Sequence, residues 1–170
     1  MTTRLKTPLT VNDLKPLRHG QEILISGIIY AFRDAAHKRM LEENKIPVNL
    51  KNQIIYYTGP TPTRPGRTSG SCGPTTSARM DKYTPQIIKK TGIIGIIGKG
   101  KRNEEARLAM KGRVVYFTTY SGLGALIAKC VKKSEIIAYA DLGAEAIYKL
   151  EVENFPLITA YDINGKGEIK

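Results

Sequence analysis

The sequence is poor in the side chains that most often build metal and nucleophile centres. It contains two cysteines, Cys72 and Cys130, two histidines and no tryptophan. The cysteines lie far apart in the sequence, and two thiolates are fewer than the three or four that an iron–sulfur cluster usually takes from cysteine. No HExxH, GxSxG or paired-cysteine motif occurs, so zinc and serine-nucleophile mechanisms have little support. We therefore assign no metal site to this chain.

Long hydrophobic runs are also missing. No stretch approaches the ~20 apolar residues that span a bilayer. Residues 1–20 mix cationic, proline and polar residues and lack the apolar centre of a secretory signal. The composition, 41% hydrophobic and 25% charged, is ordinary for a globular protein. We expect one domain over residues 1–170, located in the cytoplasm, with both cysteines as free thiols.

Acidic residues are scarce in the middle of the chain, although the net charge of +12 could have been spread evenly. Nine Lys or Arg residues stand between Pro60 and Arg102, against the single Asp81. From Ser134 to Lys170 the balance reverses, with three Lys and seven Asp or Glu. A cationic middle predicts an anionic partner, which from the sequence alone is a nucleic acid, a small polycarboxylate, a phosphate or an acidic protein face.

The hydrophobic pattern predicts an α/β fold with a central mixed β-sheet, because short apolar runs alternate with helical segments. An irregular loop is expected at 59–73, since it holds three prolines and four glycines. Strands are predicted at 22–30, 53–57, 92–98, 113–119, 134–139, 146–152 and 157–161, and 144–149 also fits a helical turn. Helices are predicted at 32–44, at a short turn from Thr75, from Pro85 to Lys90, at 103–110 and at 122–133.

The segment Ser71–Asp81 (SCGPTTSARMD) combines a tight turn with a candidate helix start. Thr75 or Thr76 can cap the helix, whose first N–H groups then face an anion. Thr75 and Arg79 are four residues apart, so in a helical turn a hydroxyl and a guanidinium share one face and can hold a carboxylate. The same spacing also fits an ordinary capped helix with a solvated arginine.

Two further segments carry candidate anion-binding groups. Lys99 lies between glycines in IGKGK, at the end of a predicted buried strand, where ligands of α/β sheets bind. An exposed basic turn is the alternative, and the motif is not a Walker A loop. Arg33 and His37 in RDAAH are again four apart, with Asp34 available to orient a neighbour, although a lone histidine on a helix is usually structural.

Together these segments resemble a known family. RDAAHKR (Arg33–Arg39), GPTTSARMD (Gly73–Asp81), GKG around Lys99 and DLGAEAIYKLEVENFP (Asp141–Pro156) look like the C-terminal domain of class I fumarate hydratases, in the same order over nearly the whole chain. In many prokaryotes that domain is a separate β subunit, and L-tartrate dehydratase β subunits are similar. Four motifs in one order are far more specific than any one of them.

The resemblance implies the small subunit of a heteromeric hydro-lyase that reversibly hydrates fumarate to L-malate. It implies a swivelling β/β/α fold and an α subunit that carries the 4Fe–4S cluster, most simply in a heterotetramer. Carried over by motif, Arg33, Arg79 and Lys99 would hold the substrate carboxylates, and Thr75 would transfer the proton. Asp34, His37, Gly73 and Thr76 would support them. Cys72 stands where family members often have a small residue, and it is either a bystander or a redox-sensitive thiol.

Three alternatives remain open from the sequence. An L-tartrate dehydratase would use the same cationic grip, because its substrate differs from malate by one hydroxyl. A basic nucleic-acid or phosphate-binding module is a second alternative, but Tyr83 is the only aromatic residue in the cationic middle and no RNP, HTH or KH pattern occurs. A small-molecule-binding or structural domain without catalysis is the third.

Overall fold

The computed structural model describes residues 2–169. Its strands are β1 (Thr3–Lys6), β2 (Glu22–Ala31), β3 (Ile54–Tyr56), β4 (Gly95–Gly98), β5 (Val115–Thr118), β6 (Val131–Ala138) and β7 (Ile147–Tyr161). Its α-helices are α1 (Val11–Leu14), α2 (Asp34–Glu42), α3 (Thr84–Thr91), α4 (Glu104–Met110) and α5 (Gly124–Ala128). Two 3-10 helices span Ser77–Met80 and Ala140–Glu145. No helix within residues 2–169 is both long and apolar enough to cross a membrane.

One mixed sheet organises the molecule. Strands β2, β3, β4 and β5 are parallel neighbours in that order. The long strand β7 runs antiparallel to both β5 and β2, so it joins the two ends of the parallel set into a closed, barrel-like sheet. Strands β1 and β6 extend it beside β2 and β7. The predicted α/β class with a central mixed sheet is therefore confirmed.

Strands β3 and β4 are buried on both faces, as is most of β5, and successive residues contribute to two different apolar clusters. On β3, Ile54 and Tyr56 join the cluster that includes Phe117 and Phe155, whereas Ile55 joins the cluster that includes Met40 from α2. This two-sided burial explains why the strand sequences read as continuous apolar runs without polar alternation. Helices α2 and α3 cover the second cluster, which leaves the strand ends as the accessible edge.

Most predicted elements are confirmed to within a few residues, but the helix predicted at 122–133 is wrong. Only Gly124–Ala128 is helical, and β6 begins at Val131. The cations Lys132 and Lys133, read as the end of a helix, instead lie exposed on a strand that pairs with β7. Edge strands often carry such lysines, which discourage pairing with other chains.

Three other boundaries differ from prediction. The strand predicted from Gly92 starts at Gly95, because Gly92 ends α3 in the left-handed conformation (φ 68°). The two predicted C-terminal strands are one strand, β7, which bends at a register shift opposite β2. Strand β1 and helix α1 were not predicted, since both are short and mix polar with apolar residues.

Gly98, the last residue of β4, packs closely against neighbouring side chains, and a substitution can test this packing. A Cβ at this position would lie 1.9 Å from the Ser77 hydroxyl and 3.2 Å from the Tyr57 ring. We expect Gly98→Ala to lower the free energy of unfolding by about 1–3 kcal/mol, the usual cost of overpacking. Gly73→Ala is the control, because its nearest contact would be an ordinary 3.7 Å. Equal urea midpoints for the two variants would contradict this account.

Candidate functional site

The candidate site lies at the edge where three parallel strands end. Arg33 follows β2, Tyr57 follows β3 and Lys99 follows β4, and the carboxyl ends of parallel strands share one edge of a sheet. The segment from Thr75 to Arg79 crosses this edge. The Thr75 backbone N–H donates to the Tyr57 carbonyl at 2.7 Å, and the Ser77 N–H donates to the Lys99 carbonyl at 3.0 Å. The three sequence segments singled out as anion-binding are thus brought together.

Asp34 and Arg79 join two of these segments through side chains. The Arg79 guanidinium donates from Nε to Asp34 Oδ1 at 3.2 Å and from Nη2 to Oδ2 at 2.8 Å. The two parallel hydrogen bonds fix the plane of the guanidinium, and they use two of its five N–H donors. Arg79 is half exposed, so the donors that Asp34 does not engage are accessible from solvent. The residue that Asp34 contacts and orients is therefore Arg79.

Arg33 is held by Glu145, which was not among the predicted site residues. Its Nε donates to Glu145 Oε1 at 3.1 Å, with both side chains about 70% buried. The guanidinium packs over Gly59, where a Cβ would come within 3.2 Å of the Arg33 Cζ. Glu145 belongs to the late DLGAEAIYKLEVENFP segment, so its presence in a matched motif was the one available clue to this role.

Lys99, Thr75 and Thr76 are partly or fully exposed at the edge. Thr76 forms a parallel bridge with Lys99, so the lysine and the threonine pair are adjacent in space. Within residues 2–169, neither the Lys99 ammonium nor the Thr75 hydroxyl has a side-chain partner. Each is thus available to a ligand.

The predicted capped helix at this segment is wrong in two respects. The 3-10 helix starts only at Ser77, so Thr75 lies outside it and does not share a helical turn with Arg79. Thr76 flanks the helix but makes no side-chain cap hydrogen bond. Pro74 and the bridge to Lys99 keep the backbone extended up to Thr76, which delays the first helical residue. Gly73 instead accepts a 2.7 Å hydrogen bond from the Thr58 hydroxyl, which fixes the turn before it.

A buried ion pair fastens the Thr75–Arg79 segment to the Lys99 loop. Arg102 donates from Nε to Asp81 and from Nη2 to the Thr84 hydroxyl, and its side chain is fully buried. The other Asp81 oxygen accepts from the Asn103 backbone N–H at 2.8 Å. The rings of Tyr57 and Tyr116 lie beside the guanidinium, with centroids 5.4 and 5.2 Å away. Both Asp81 oxygens and the Nε and Nη2 atoms of Arg102 thus have hydrogen-bond partners inside the core, and Nη1 lies 3.9 Å from the Met110 sulfur.

The Tyr116 hydroxyl adds a second link between the same two segments. It lies 2.9 Å from both the Ser77 hydroxyl and the Gly100 carbonyl. Ser77 also accepts from the Lys99 backbone N–H at 3.2 Å. Neither Arg102 nor Tyr116 stood out in the sequence, because a single arginine in a basic run and a tyrosine in an apolar strand look ordinary. Their burial is visible only in the fold.

His37 is buried beneath Arg33 and is neutral at physiological pH. Its Nδ1 lies 2.7 Å from the Arg33 carbonyl, and because a carbonyl only accepts, Nδ1 carries the proton. The rings of Phe32, Tyr57 and Tyr83 surround it. Burial lowers the pKa of His37 to about 4. Its Nε2 has no hydrogen-bond partner in the described part of the chain. The geometry fits a support that holds the Arg33 backbone.

The donor set of this chain does not fit an iron–sulfur cluster. Cys72 is fully buried in the first apolar cluster, and burial raises the pKa of its thiol. Because the thiol is fully buried, a packing role fits Cys72 better than a redox-sensitive one, although its Sγ lies 3.0 Å from the Ser69 hydroxyl. Between residues 2 and 169, no group of three or more His, Cys, Asp or Glu side chains could hold a metal ion.

With this geometry established, comparison with known proteins places the chain in a family. The family model described as "Fumarase C-terminus" matches residues 1–168. The closed mixed sheet with its cationic edge is therefore a domain of the fumarase C-terminal class. This chain belongs to the Fumarase C-terminus family.

The curated relatives include a dehydratase subunit that is matched over most of its length and fumarate hydratases that are much longer than this chain. A putative L(+)-tartrate dehydratase subunit beta of Methanocaldococcus jannaschii is 39% identical over 169 residues, which cover 94% of this chain and 87% of that protein. The aerobic class I fumarate hydratase of Escherichia coli is 37% identical over 147 residues, covering 83% of this chain. A putative class I fumarate hydratase of Geobacillus stearothermophilus is 33% identical over 96% of this chain. The matched region spans only 27% and 32% of those two proteins.

The Asp81–Arg102 pair yields a stability prediction. We expect Arg102→Met to lower the free energy of unfolding by about 3–5 kcal/mol, because it leaves the Asp81 carboxylate buried without its charge partner. Arg39→Met is the matched control, since it removes the bidentate but exposed pair of Arg39 with Asp141. Urea unfolding of the two variants is the measurement. Similar losses of unfolding free energy in the two variants would show that the buried pair contributes no more to stability than the exposed pair.

His37 yields a pH prediction. Its pKa is about 4 in the folded chain and 6.5 when unfolded, so between these values the unfolded state binds more protons. Stability from this group is complete above pH 6.5 and falls as the pH approaches 4, by at most about 3 kcal/mol. His37→Gln, which does not titrate, should flatten the dependence of the urea midpoint between pH 4.5 and 7. An unchanged slope in the variant would refute the assignment.

Proposed function

We propose that this chain is the smaller subunit of a cytoplasmic, heteromeric hydro-lyase that reversibly hydrates fumarate to L-malate. The observation that carries the proposal is the meeting of Arg33, Arg79 and Lys99 at one strand-end edge beside the Thr75 hydroxyl. Family membership and relatives named as hydratases and dehydratases support it. A larger α subunit would provide the 4Fe–4S cluster, in a complex with two copies of each subunit.

Three cations at one edge suit a substrate with two carboxylates. Asp34 and Glu145 each take part of one guanidinium, and the N–H groups left over form a donor array of fixed direction. Lys99 adds a charge that is unpaired within residues 2–169. Fixed donors cost little reorganisation when a carboxylate arrives, so their attraction is available for binding and for catalysis.

The chemistry required of this subunit is charge stabilisation and proton transfer. Removing a proton next to a carboxylate places negative charge on that carboxylate in the transition state. Cations aimed at it stabilise the transition state more than the ground state, which is what accelerates the reaction. The three arginine and lysine side chains would do this from one side of the substrate, and the partner would close the other side.

Thr75 is the proton-transfer group in this proposal. A threonine hydroxyl is a very weak acid, so it acts as a base only where nearby positive charge stabilises the alkoxide. Lys99 is one candidate for that role, because the adjacent residue Thr76 forms a backbone bridge with Lys99. The Thr75 backbone is held by Tyr57, which keeps the hydroxyl at the edge without engaging it.

L-tartrate dehydration is the second candidate function. The relative named as a tartrate dehydratase subunit is matched over 87% of its own length, whereas the fumarate hydratases are matched over about a third or less. The cationic grip binds either diacid, since malate and tartrate share both carboxylates and differ by one hydroxyl. Substrate-profile kinetics on fumarate, malate and both tartrates would separate the two.

Arg79 gives the sharpest test of the proposed grip. With the partner subunit reconstituted in the absence of air, we expect Arg79→Ala to reduce kcat/KM by about a hundredfold or more, the scale of one lost transition-state donor. Arg79→Lys should recover part of the loss, because it restores the charge without the planar fork. Steady-state kinetics on both malate and tartrate are the measurement.

The controls separate the grip from general charge effects. Lys89→Ala removes an exposed cation of α3 and should leave kcat/KM unchanged. The purified chain alone should be colourless and inactive. Turnover of malate by this chain without a partner would defeat the subunit assignment, and normal kinetics for Arg79→Ala would remove Arg79 from the site.

A further inference from the structure

Helix α5 and the residue before it expose an apolar ridge. Leu123 and Leu126 are 44% and 54% exposed, and Tyr120, just upstream, is 44% exposed. Leu123, Leu126 and Lys129 are spaced three apart, so they follow one side of the helix. Three large apolar side chains within seven residues form the kind of patch that usually marks an interaction site.

Beside this ridge lies a cationic cavity of about 620 Å³. Arg64, Arg67, Lys129 and Lys132 line it together with threonine and serine residues, and no acidic residue does. Of these four cations, only Lys132 has an ion-pair partner within residues 2–169, Glu153 at 3.6 Å. The loop is anchored, because the Thr68 hydroxyl donates to the Val131 carbonyl at 2.6 Å. We call the ridge and the cavity cations together the α5 surface: Tyr120, Leu123, Leu126, Arg64, Arg67 and Lys129.

The α5 surface adjoins the candidate site through two glycines. The Cys72 N–H donates to the Gly124 carbonyl at 3.2 Å, and a Cβ on Gly124 would come 2.7 Å from the Gly73 nitrogen. The start of α5 therefore packs directly on the turn that begins the GPTT segment. A protein seated on the α5 surface would also reach the edge that carries Thr75 and Arg79.

We propose that the α5 surface is the docking face for the larger subunit, and this rests on the proposed function above. In the E. coli fumarate hydratase the matched region is 27% of one chain, so the remaining part is a covalent neighbour of this domain. A partner that completes the strand-end edge has to approach beside Gly73. An apolar centre with a charged rim is the usual anatomy of such an interface. The matching surface is apolar with carboxylates around it, because the rim here is cationic.

The test measures the dissociation constant of the complex with the larger subunit by calorimetry, using the full chain. Leu126→Asp should weaken binding at least tenfold. Leu108→Asp is the matched control, since Leu108 is 64% exposed on α4 and does not belong to the α5 surface, and it should bind as the unaltered chain does. Circular dichroism confirms that both variants are folded. Equal binding by Leu126→Asp and the unaltered chain would overturn the proposal.

A charge-reversal pair tests the cationic rim. Arg67→Glu should weaken the complex and reduce its salt dependence, whereas Lys89→Glu on α3 should not. At saturating larger subunit, kcat of Leu126→Asp should recover, because docking and not chemistry is impaired. A kcat that stays low would overturn a pure docking role. Normal partner binding by Arg67→Glu combined with lost oligonucleotide binding would assign the rim to nucleic acid instead.

The outcome for the unaltered chain distinguishes the two proposals. If the unaltered chain forms no complex with the larger subunit, the heteromeric function fails. If the unaltered complex forms and is active while the α5 variants bind the larger subunit as tightly as their controls, only the proposal for the α5 surface is wrong.

Discussion

The buried pair of Asp81 and Arg102 is the constraint on which the candidate site depends. The Thr75–Arg79 segment has only a one-turn 3-10 helix of its own, and such a helix is not stable in isolation. Asp81 ends that helix, and Arg102 stands three residues after Lys99, so the pair connects the Thr75–Arg79 and Lys99 segments, two of the three candidate anion-binding segments. Because breaking a buried charge pair is costly, the pair holds the backbone of both segments in place beneath the exposed side chains.

The same principle recurs at the surface with weaker pairs. Asp34 and Glu145 each engage an arginine through hydrogen bonds of 2.8–3.2 Å, and both pairs are partly exposed. Partly solvated ion pairs contribute little to stability, so the main effect of these two pairs is to orient the guanidinium groups. Negative side chains in an otherwise cationic edge therefore do not oppose anion binding. In the proposed function, they would determine which guanidinium N–H groups remain for an incoming carboxylate, and they reduce the repulsion between the cations.

The sequence predicted the class of fold and the segments of the site, but not how the segments are joined. Strands β2 to β5 and helices α2 to α4 follow from periodicity and capping, because local pattern and burial agree there. The helix predicted at 122–133 was too long because the helix-favouring pattern continues into residues that form β6. Those residues form a strand because β7 lies beside them and pairs with them. The roles of Glu145 and Arg102 were not predicted either, since each residue acts through a partner more than 20 residues away in sequence.

Helix α5 keeps an exposed apolar side because its helical pattern is cut short. Its five residues end just before β6 begins, so Leu123 and Leu126 gain no covering element from the described part of this chain and stay exposed. The start of α5 lies so close to the turn at Gly73 that Gly124 cannot carry a side chain without separating the two backbones. Any protein bound to α5 would press on the turn before Thr75 through this contact. Assembly and substrate binding would then share one piece of backbone, which makes their energetic coupling a consequence of packing.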